Sequence, residues 1–563
     1  MKQTPDPEHA ARLHESVSSA IARGEHLLRL PPGEHHITRT FLPERFCHVS
    51  NNDHGLKRIL FDIEGAGDFV LDGQGAKLVF FGDVLPVRIG NSRRVTLCNL
   101  TIDWHRPFFT QAVVTRSGDG WMVFSADTNL YPLRAENGRL IAHDGLDWRT
   151  DSLWNLLPFD PVKKQVCTKT ENWHLHQMHK ATDEGGGEFR LEAAFQEVYP
   201  PGTPIVLMHG NRVAPGVWIE DSQQVTLRDV TVHHAPGMGV IAQLSSDVTL
   251  ERFHVKPSGD RLFSTWVDAT HFVDCDGRTR LLDCELRGQF DDASNIHASF
   301  SLVIERHGLR AARIMAVHPQ RYGETAATPG TGLAFYRRSN MQRLLVTKVV
   351  SANRINQEIN DITVADDLPE SAGELVCSRY NPENIIEVRG CRLGANRGRG
   401  LLLNMEHHIL VEQNHFHVSG RAVESVSDAN FWWEGSPVQD VTIRDNVFED
   451  CGFGPCGQDL IFVGPELPDG SDPRRGSLRE SVTRPDEQTK HVPVLKSIRI
   501  LDNTIIRPAG PLLHAHGVDG LSFTGNRLLA SEHHPAAPDG ELFDLGAAVT
   551  NADLHPPDRQ IKP

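Results

Sequence analysis

From Phe69 onward the chain repeats a short pattern: a few residues of alternating apolar and polar character, a polar pair, and then a second short apolar run. Alternation with a period of two marks strands whose one face is buried. The copies include Val95 to Ile102, Val225 to Val232, Val248 to Val255, Leu281 to Leu286, Ile409 to Phe416, Val441 to Phe448, Ile498 to Ile505 and Leu521 to Leu528. Val225 and Val248 lie 23 positions apart. A strand repeat with a period in the twenties implies a solenoid, because one coil can bury its inner face only against the next. The strands are too short and too strictly alternating for helical repeats. The expected fold is therefore all-β, a right-handed parallel β-helix. Asn414, Asn446, Asn503 and Asn526 occupy equivalent places after the polar pair, where one side-chain amide can bond its copy in the neighbouring coil.

Two other patterns interrupt or cap this repeat. Between Glu8 and Arg23, Leu13, Val17, Ala20 and Ile21 fall on one helical face and Gly24 follows as a C-cap, so an amphipathic helix is expected to cover the first open sheet edge. Residues 105–212 and 301–372 alternate like strands but lack the coil signature, and are expected to be two inserted β-barrel-like subdomains. The β-helix is then assigned to 1–104, 213–300 and 373–563. Gly464 to Val492, rich in Pro, Gly and charge, is expected to be a surface loop.

Composition narrows the range of partners. At 563 residues the chain can bury a large core without staples. Its net charge is −16 and it has no basic stripe, which argues against nucleic acid. Met1 to Pro7 lacks the apolar core of a secretory signal, and no apolar run is long enough to cross a bilayer, so no membrane partner is expected and the compartment is left open. The nine cysteines are scattered; Cys451 and Cys456 are the only pair whose spacing invites a local disulfide. The His233-His234 and His407-His408 pairs lack a third ligand at metal spacing, and no metal is assigned.

The chemistry concentrates in Arg261 to Ser299. Asp291 lies 23 positions after Asp268, about one coil, so Asp268, Asp291 and Asp292 are expected to share one patch about 4.8 Å apart. Like charges at that range raise one another's proton affinity. A hydrolase that attacks an acetal needs that difference: one carboxyl protonated for the leaving oxygen, another ionised for water. The other readings of an Asp-Asp pair are turn carboxylates or a calcium site. Arg261, His271, Asn295, His297 and Glu434 are candidate ligands for sugar hydroxyls. Of the adjacent Trp432 and Trp433, an extended backbone would send one to the core and leave the other to stack on a sugar; Trp433 is taken as the free one.

The run VDATHF (Val267 to Phe272), then FDDASNIH (Phe290 to His297), then NFWWEGSPVQDVTIRDNVFEDC (Asn430 to Cys451), resembles the bacterial exo-acting α-1,3-galactosidases of glycoside hydrolase family 110. The resemblance implies a β-helix with two barrel-like insertions, and inverting hydrolysis of terminal α-1,3-linked galactose on a glycan without a cofactor. It also implies Asp291 as general acid, Asp268 and Asp292 as the pair that holds and deprotonates water, and a homodimer. An inverting pair would be about 6.5 to 9.5 Å apart. Two other functions compete. One is a polygalacturonase-like hydrolase or a polysaccharide lyase, disfavoured by the few basic residues near the aspartates. The other is a non-catalytic carbohydrate-binding β-helix, disfavoured by a short polar C-terminus.

Overall fold

The computed structural model describes the chain apart from residues 1–5, 147, 168–172, 175–178, 196, 325–326, 371–373, 455, 469–491, 507, 531–541, 558 and 561–563. Most of the loop expected from Gly464 to Val492 thus lies outside the described residues.

Each copy of the sequence pattern forms one turn of a parallel coil. Leu97, Leu227, Leu250, Leu281, Val388, Val411, Ile443, Ile500 and Phe523 stand in one register from coil to coil. All nine are buried, so each coil shields the apolar face of the one beside it. Two long parallel sheets run the length of the molecule around this interior, and the expected β-helix is present.

The polar pair bends each coil. Asn99, Asp229, Arg252, Asp283, Gln413, Asp445 and Asp502 have φ between +49° and +57°, and Gly390 and Gly525 fill the same place at +67° and +69°. Short polar residues and glycine tolerate this left-handed region best, which is why most copies place Asp, Asn or Gly there, Arg252 and Gln413 being the exceptions. The next residue turns inward. In the early coils it is Leu100, Val230, Phe253, Cys284 or Cys391, and in the late ones Asn414, Asn446, Asn503 or Asn526, all buried. The Nδ2 group of each Asn donates to the Oδ1 of the next, at 3.0, 3.0 and 2.9 Å. Each of those oxygens also accepts the preceding Asn's backbone N–H. The second amide proton goes to the carbonyl of Val388, Val411, Ile443 or Ile500. The ladder therefore satisfies its buried polar groups by repeating them.

At the N-terminal end, helix α1 (Pro7–Ala22) is capped by Asp6, whose carboxylate accepts the Glu8 N–H, and ends at Gly24 with φ +68°. Ala10, Leu13, Val17 and Ala20 bury its inner face against the first strands. Cys451 and Cys456 are both free thiols, so the local disulfide does not form. Among the described residues no helix is long and apolar enough to cross a membrane.

The insertions are antiparallel. Between Phe109 and His209 a seven-stranded sheet is accompanied by a three-stranded one, and among the described residues its ladder does not close. The second insertion is a closed six-stranded barrel running from Ser301–Arg306 to Leu375–Arg379. Its last strand lies beyond residue 372, where the sequence placed the return to the β-helix. That strand alternates like a coil strand, and only its pairing with Ser301, Leu302 and Leu333 to Arg337 assigns it to the barrel.

Five neighbouring strands of the second parallel sheet carry the site: β1 (Val240–Gln243), β2 (Thr270–Val273), β3 (Ser294–His297), β4 (Leu401–Asn404) and β5 (Val423–Ser425).

Asn446→Ala would strip partners from Asn414, Asn503 and the Val411 carbonyl at once. Each buried group left unpaired costs about 1–3 kcal/mol. The expected result is a loss of about 3 kcal/mol or more, read as a lower urea midpoint at unchanged slope.

Candidate active site

Strand register sets the positions of the acidic residues. Thr270 pairs with Ser294, Ser294 with Leu401, and Leu401 with Val423. Two residues before each of these partners, at the lip where the chain enters the sheet, stand Asp268, Asp292, Arg399 and Arg421. The coil neighbour of Asp268 is therefore Asp292, 24 positions on, where the 23-residue spacing had suggested Asp291. The Asp292 carbonyl accepts the Ala269 N–H at 3.0 Å, and the Asp292 N–H donates to Asp268 Oδ1 at 3.1 Å. Asp291 stands beside the column and is partly exposed, whereas Asp268 and Asp292 are 5% and 1% exposed. Gly398 leaves no room for a Cβ, which would sit 2.5 Å from the Asp291 carbonyl carbon. One oxygen from each aspartate lies within 4.8 Å of the others. These are the nearest oxygens of the three groups, and the stacking of Asp292 on Asp268 brings two of them together.

Arg399 answers the charge on Asp292. Its Nε and backbone N–H donate to Asp292 Oδ1 at 2.9 and 2.8 Å, and a terminal nitrogen donates to Oδ2 at 2.8 Å. The other terminal nitrogen reaches Glu424 at 2.6 Å; Glu424 also binds Arg421, and Arg421 binds Asp459. A hydrogen-bonded network of alternating sign, Asp292–Arg399–Glu424–Arg421–Asp459, thus leads away from the aspartates. Burial still pushes Asp292 up to about 7, aided by Asp291 and Asp268 and opposed by Arg399. Burial and the nearby Asp291 hold Asp268 well above the ordinary carboxylate range. Asp268 Oδ2 contacts His271 Nδ1 at 2.5 Å, and burial holds that imidazole down at about 4.

Distant segments close over the sheet. Asn51, between the strands Glu44–Cys47 and Gly55–Glu64, donates to Glu434 Oε1 at 2.8 Å, and Asn295 donates to Oε2 at 3.0 Å. Burial opposes the charge on Glu434, but His297, His271 and these two amides hold its carboxyl down at about 2. Asn295 Oδ1 is buried without a protein partner. Arg212 donates to the Asn51 carbonyl at 3.0 Å and its guanidinium lies 6.0 Å from the Trp432 ring, which His318 meets at 5.0 Å.

Among the described residues two groups bring three metal-type ligand atoms within 4.8 Å: the three aspartates, and His271, His297 and Glu434. Arg399 already occupies Asp292 in the first. In the second, the imidazole nitrogens face each other, Asp268 and the Ala298 carbonyl.

The inserted sheet matches the family described as GLAA-B beta-barrel domain I over residues 110–205, and the closed barrel matches GLAA-B beta-barrel domain II over 312–374. The α-1,3-galactosidase A of Shewanella woodyi is 28% identical over 518 residues, covering 90% of this chain and 81% of that one. The α-1,3-galactosidase B of Bacteroides thetaiotaomicron is 30% identical over 485 residues, covering 83% and 74%. The chain belongs to the α-1,3-galactosidase family, glycoside hydrolase family 110. Among solved structures, the A-module of Azotobacter vinelandii mannuronan C-5 epimerase AlgE6 aligns with a TM-score of 0.41 at 11% identity, over 99% of this chain and 98% of that one.

Within this member of the family the structure gathers Asp268, Asp291, Asp292, His271, Asn295, His297 and Glu434, and moves two other candidates away. Trp433 is not free to stack. Its φ of +62° breaks the alternation expected of an extended backbone, the ring is 1% exposed, and Arg338 lies 5.3 Å over it. Trp432 is the half-buried neighbour, turned toward Arg212 and His318. Arg261 binds Asp103 at 2.6 Å and the Trp104 carbonyl at 3.0 Å, and stands at the junction with the first insertion. Asn51, Arg212, His318, Arg399 and Glu424 escaped the sequence reading. Only Arg399 left a signal, two positions before a coil strand, as Asp292 does.

The raised proton affinity of Asp268 has a signed consequence for stability. A carboxyl whose folded-state pKa is raised stabilises the fold fully below the ordinary carboxylate range, and that contribution is lost as pH climbs through the raised value. From pH 5 to 8 the stability of the wild type relative to Asp268→Asn should fall, by at most about 1.4 kcal/mol per pH unit. Thermal midpoints of the two proteins across that range measure the difference.

Proposed function

We propose that this protein is an inverting exo-glycosidase that removes terminal α-1,3-linked galactose from glycans. The observation that carries the reading is the cluster of three aspartates on adjacent coils, facing a wall closed by Asn51, Arg212, Trp432 and Glu434, in a chain whose family relatives bear the name α-1,3-galactosidase. A site closed on one side suits a chain end better than a polymer interior.

Asp291, the partly exposed carboxyl, donates its proton to the leaving oxygen. Asp268 and Asp292 grip the attacking water, and Asp268 takes its proton. The unpartnered Asn295 Oδ1 accepts a galactose hydroxyl, which supplies the bond that this buried oxygen lacks. The half-buried Trp432 offers an apolar face to the sugar ring. Glu434, with both oxygens already accepting amide protons, fixes Asn295 in place. A uronate substrate fits less well, because Arg399 is committed to Asp292 and Glu424, and Arg212 to the Asn51 carbonyl and Gln320.

The stereochemistry is read from the product, because inversion and retention release opposite anomers first. Hydrolysis of α-1,3-galactobiose followed by proton NMR should release β-galactose first, and Asp291→Asn should lower kcat by about 10²–10⁴-fold. Early α-galactose would replace inversion with retention. No release from any α-galactoside would overturn the substrate and direct attention to uronate polymers.

A further inference from the structure

Behind the Asp268 carboxyl three contacts run in a line. Asp268 Oδ2 lies 2.5 Å from His271 Nδ1, His271 Nε2 lies 3.0 Å from His297 Nε2, and His297 Nδ1 lies 2.8 Å from the Ala298 carbonyl oxygen. The three side chains are 6%, 1% and 0% exposed, so water does not substitute for any of these partners. Each contact requires one proton between its heavy atoms, because two bare lone pairs, or two N–H groups, repel at that distance. The Ala298 carbonyl can only accept, which places a proton on His297 Nδ1. An ionised Asp268 and two neutral imidazoles would bring two protons to three contacts.

We infer that Asp268, His271 and His297 form one proton-holding chain carrying a proton beyond that complement, and that His271 and His297 are positioning residues that govern Asp268 rather than ligands of the sugar. All four imidazole nitrogens are spent within the chain, and none remains for a hydroxyl.

Three arrangements satisfy every contact: the additional proton on Asp268, on His271, or on His297. They interconvert by shifts along the hydrogen bonds while every heavy atom stays in place. The charged and titratable neighbours are Asp291, Asp292, Arg212 and Glu434 around Asp268 and His271, and Glu434, Arg321 and Asp274 around His297. Burial raises Asp268 and lowers both imidazoles, which seats the resting proton on Asp268. At the far end His297 Nε2 lies 3.7 Å from Glu434 Oε1, whose negative charge can draw the proton away from the aspartate.

The catalytic use of the chain rests on the role proposed above for Asp268; the proton count does not. With the additional proton displaced to His271 or His297, Asp268 presents an ionised carboxylate. As water attacks the anomeric carbon, a water O–H bond breaks and its proton passes to Asp268. The glycosidic C–O bond breaks, and its electron pair leaves on the oxygen that takes the Asp291 proton. After product departs, Asp268 returns one proton to solvent and Asp291 gains one.

The test begins with ¹⁵N-labelled histidine in the ligand-free enzyme at pH 7, using long-range ¹H–¹⁵N spectra assigned with His271→Asn and His297→Asn. Neutral His297 as the Nδ1–H tautomer beside neutral His271 as the Nε2–H tautomer supports the inference, as does an imidazolium pattern on one of the two rings. Any other pairing, above all both rings neutral with the proton on Nδ1, leaves a contact without its proton and overturns it. On α-1,3-galactobiose, His297→Asn should lower kcat at least tenfold with KM changed less than twofold. A KM rise at unchanged kcat would make His297 a sugar ligand and overturn the positioning role. The spectra need no substrate, so failure of the proposed activity and failure of the proton chain are read separately.

Discussion

In-register parallel pairing, with each coil about 4.8 Å from the next, governs this molecule. It stacks like on like, and the outcome depends on what is stacked. Apolar residues gain a continuous core, as in the column from Leu97 to Phe523. Asparagines gain a ladder in which each amide completes its neighbour. Ionisable residues gain nothing unless the sign alternates or a proton intervenes. From Asp292 outward, Arg399 follows with the opposite sign, and the next stacked cation, Arg421, is separated from it by Glu424, which binds both guanidinium groups.

The three aspartates are where that rule is broken. Asp268 and Asp292 are stacked, buried and of like sign, with Asp291 beside them. Two devices offset the repulsion, and they differ in kind. Arg399 supplies a fixed countercharge to Asp292. His271 supplies Asp268 with a hydrogen-bond partner that can give or take a proton. Adjacent coils thus present two carboxyls of the same chemical type in unequal environments.

The β-helix supplies the carboxylates, while its interruptions supply the walls. Asn51 lies between an early pair of strands, Arg212 where the first insertion returns, His318 within the second, and Trp432 and Glu434 before a late coil strand. These segments meet over one face of one sheet. The Asn51–Glu434 bond, which spans 383 positions, ties the first of them to the last.

Much of the fold was legible because it is local. One coil contains its own alternation, its own bend residue and its own inward residue after the bend, so a window of about 23 residues already holds the instruction that the rest repeat. The N-terminal helix was legible for the same reason, through its cap, its Gly24 and its apolar stripe. The aspartates stood out because three carboxylates one coil apart are costly without a use. Other features could not be read this way. A single residue separates a coil of 23 from one of 24, and it decided that Asp292 rather than Asp291 stacks on Asp268. A left-handed backbone at Trp433 exchanged the fates of two adjacent tryptophans. Arg261 followed Asp103 to the first insertion, and the strand at Leu375–Arg379 joined a barrel that its pattern does not distinguish from a coil. What the sequence by itself determined was the repeat and the reactive residues that interrupt it, since both are written within one turn of chain. Which of those residues touch was left to the tertiary structure, because contacts across hundreds of positions depend on how the insertions return the chain to register, and periodicity carries no record of that.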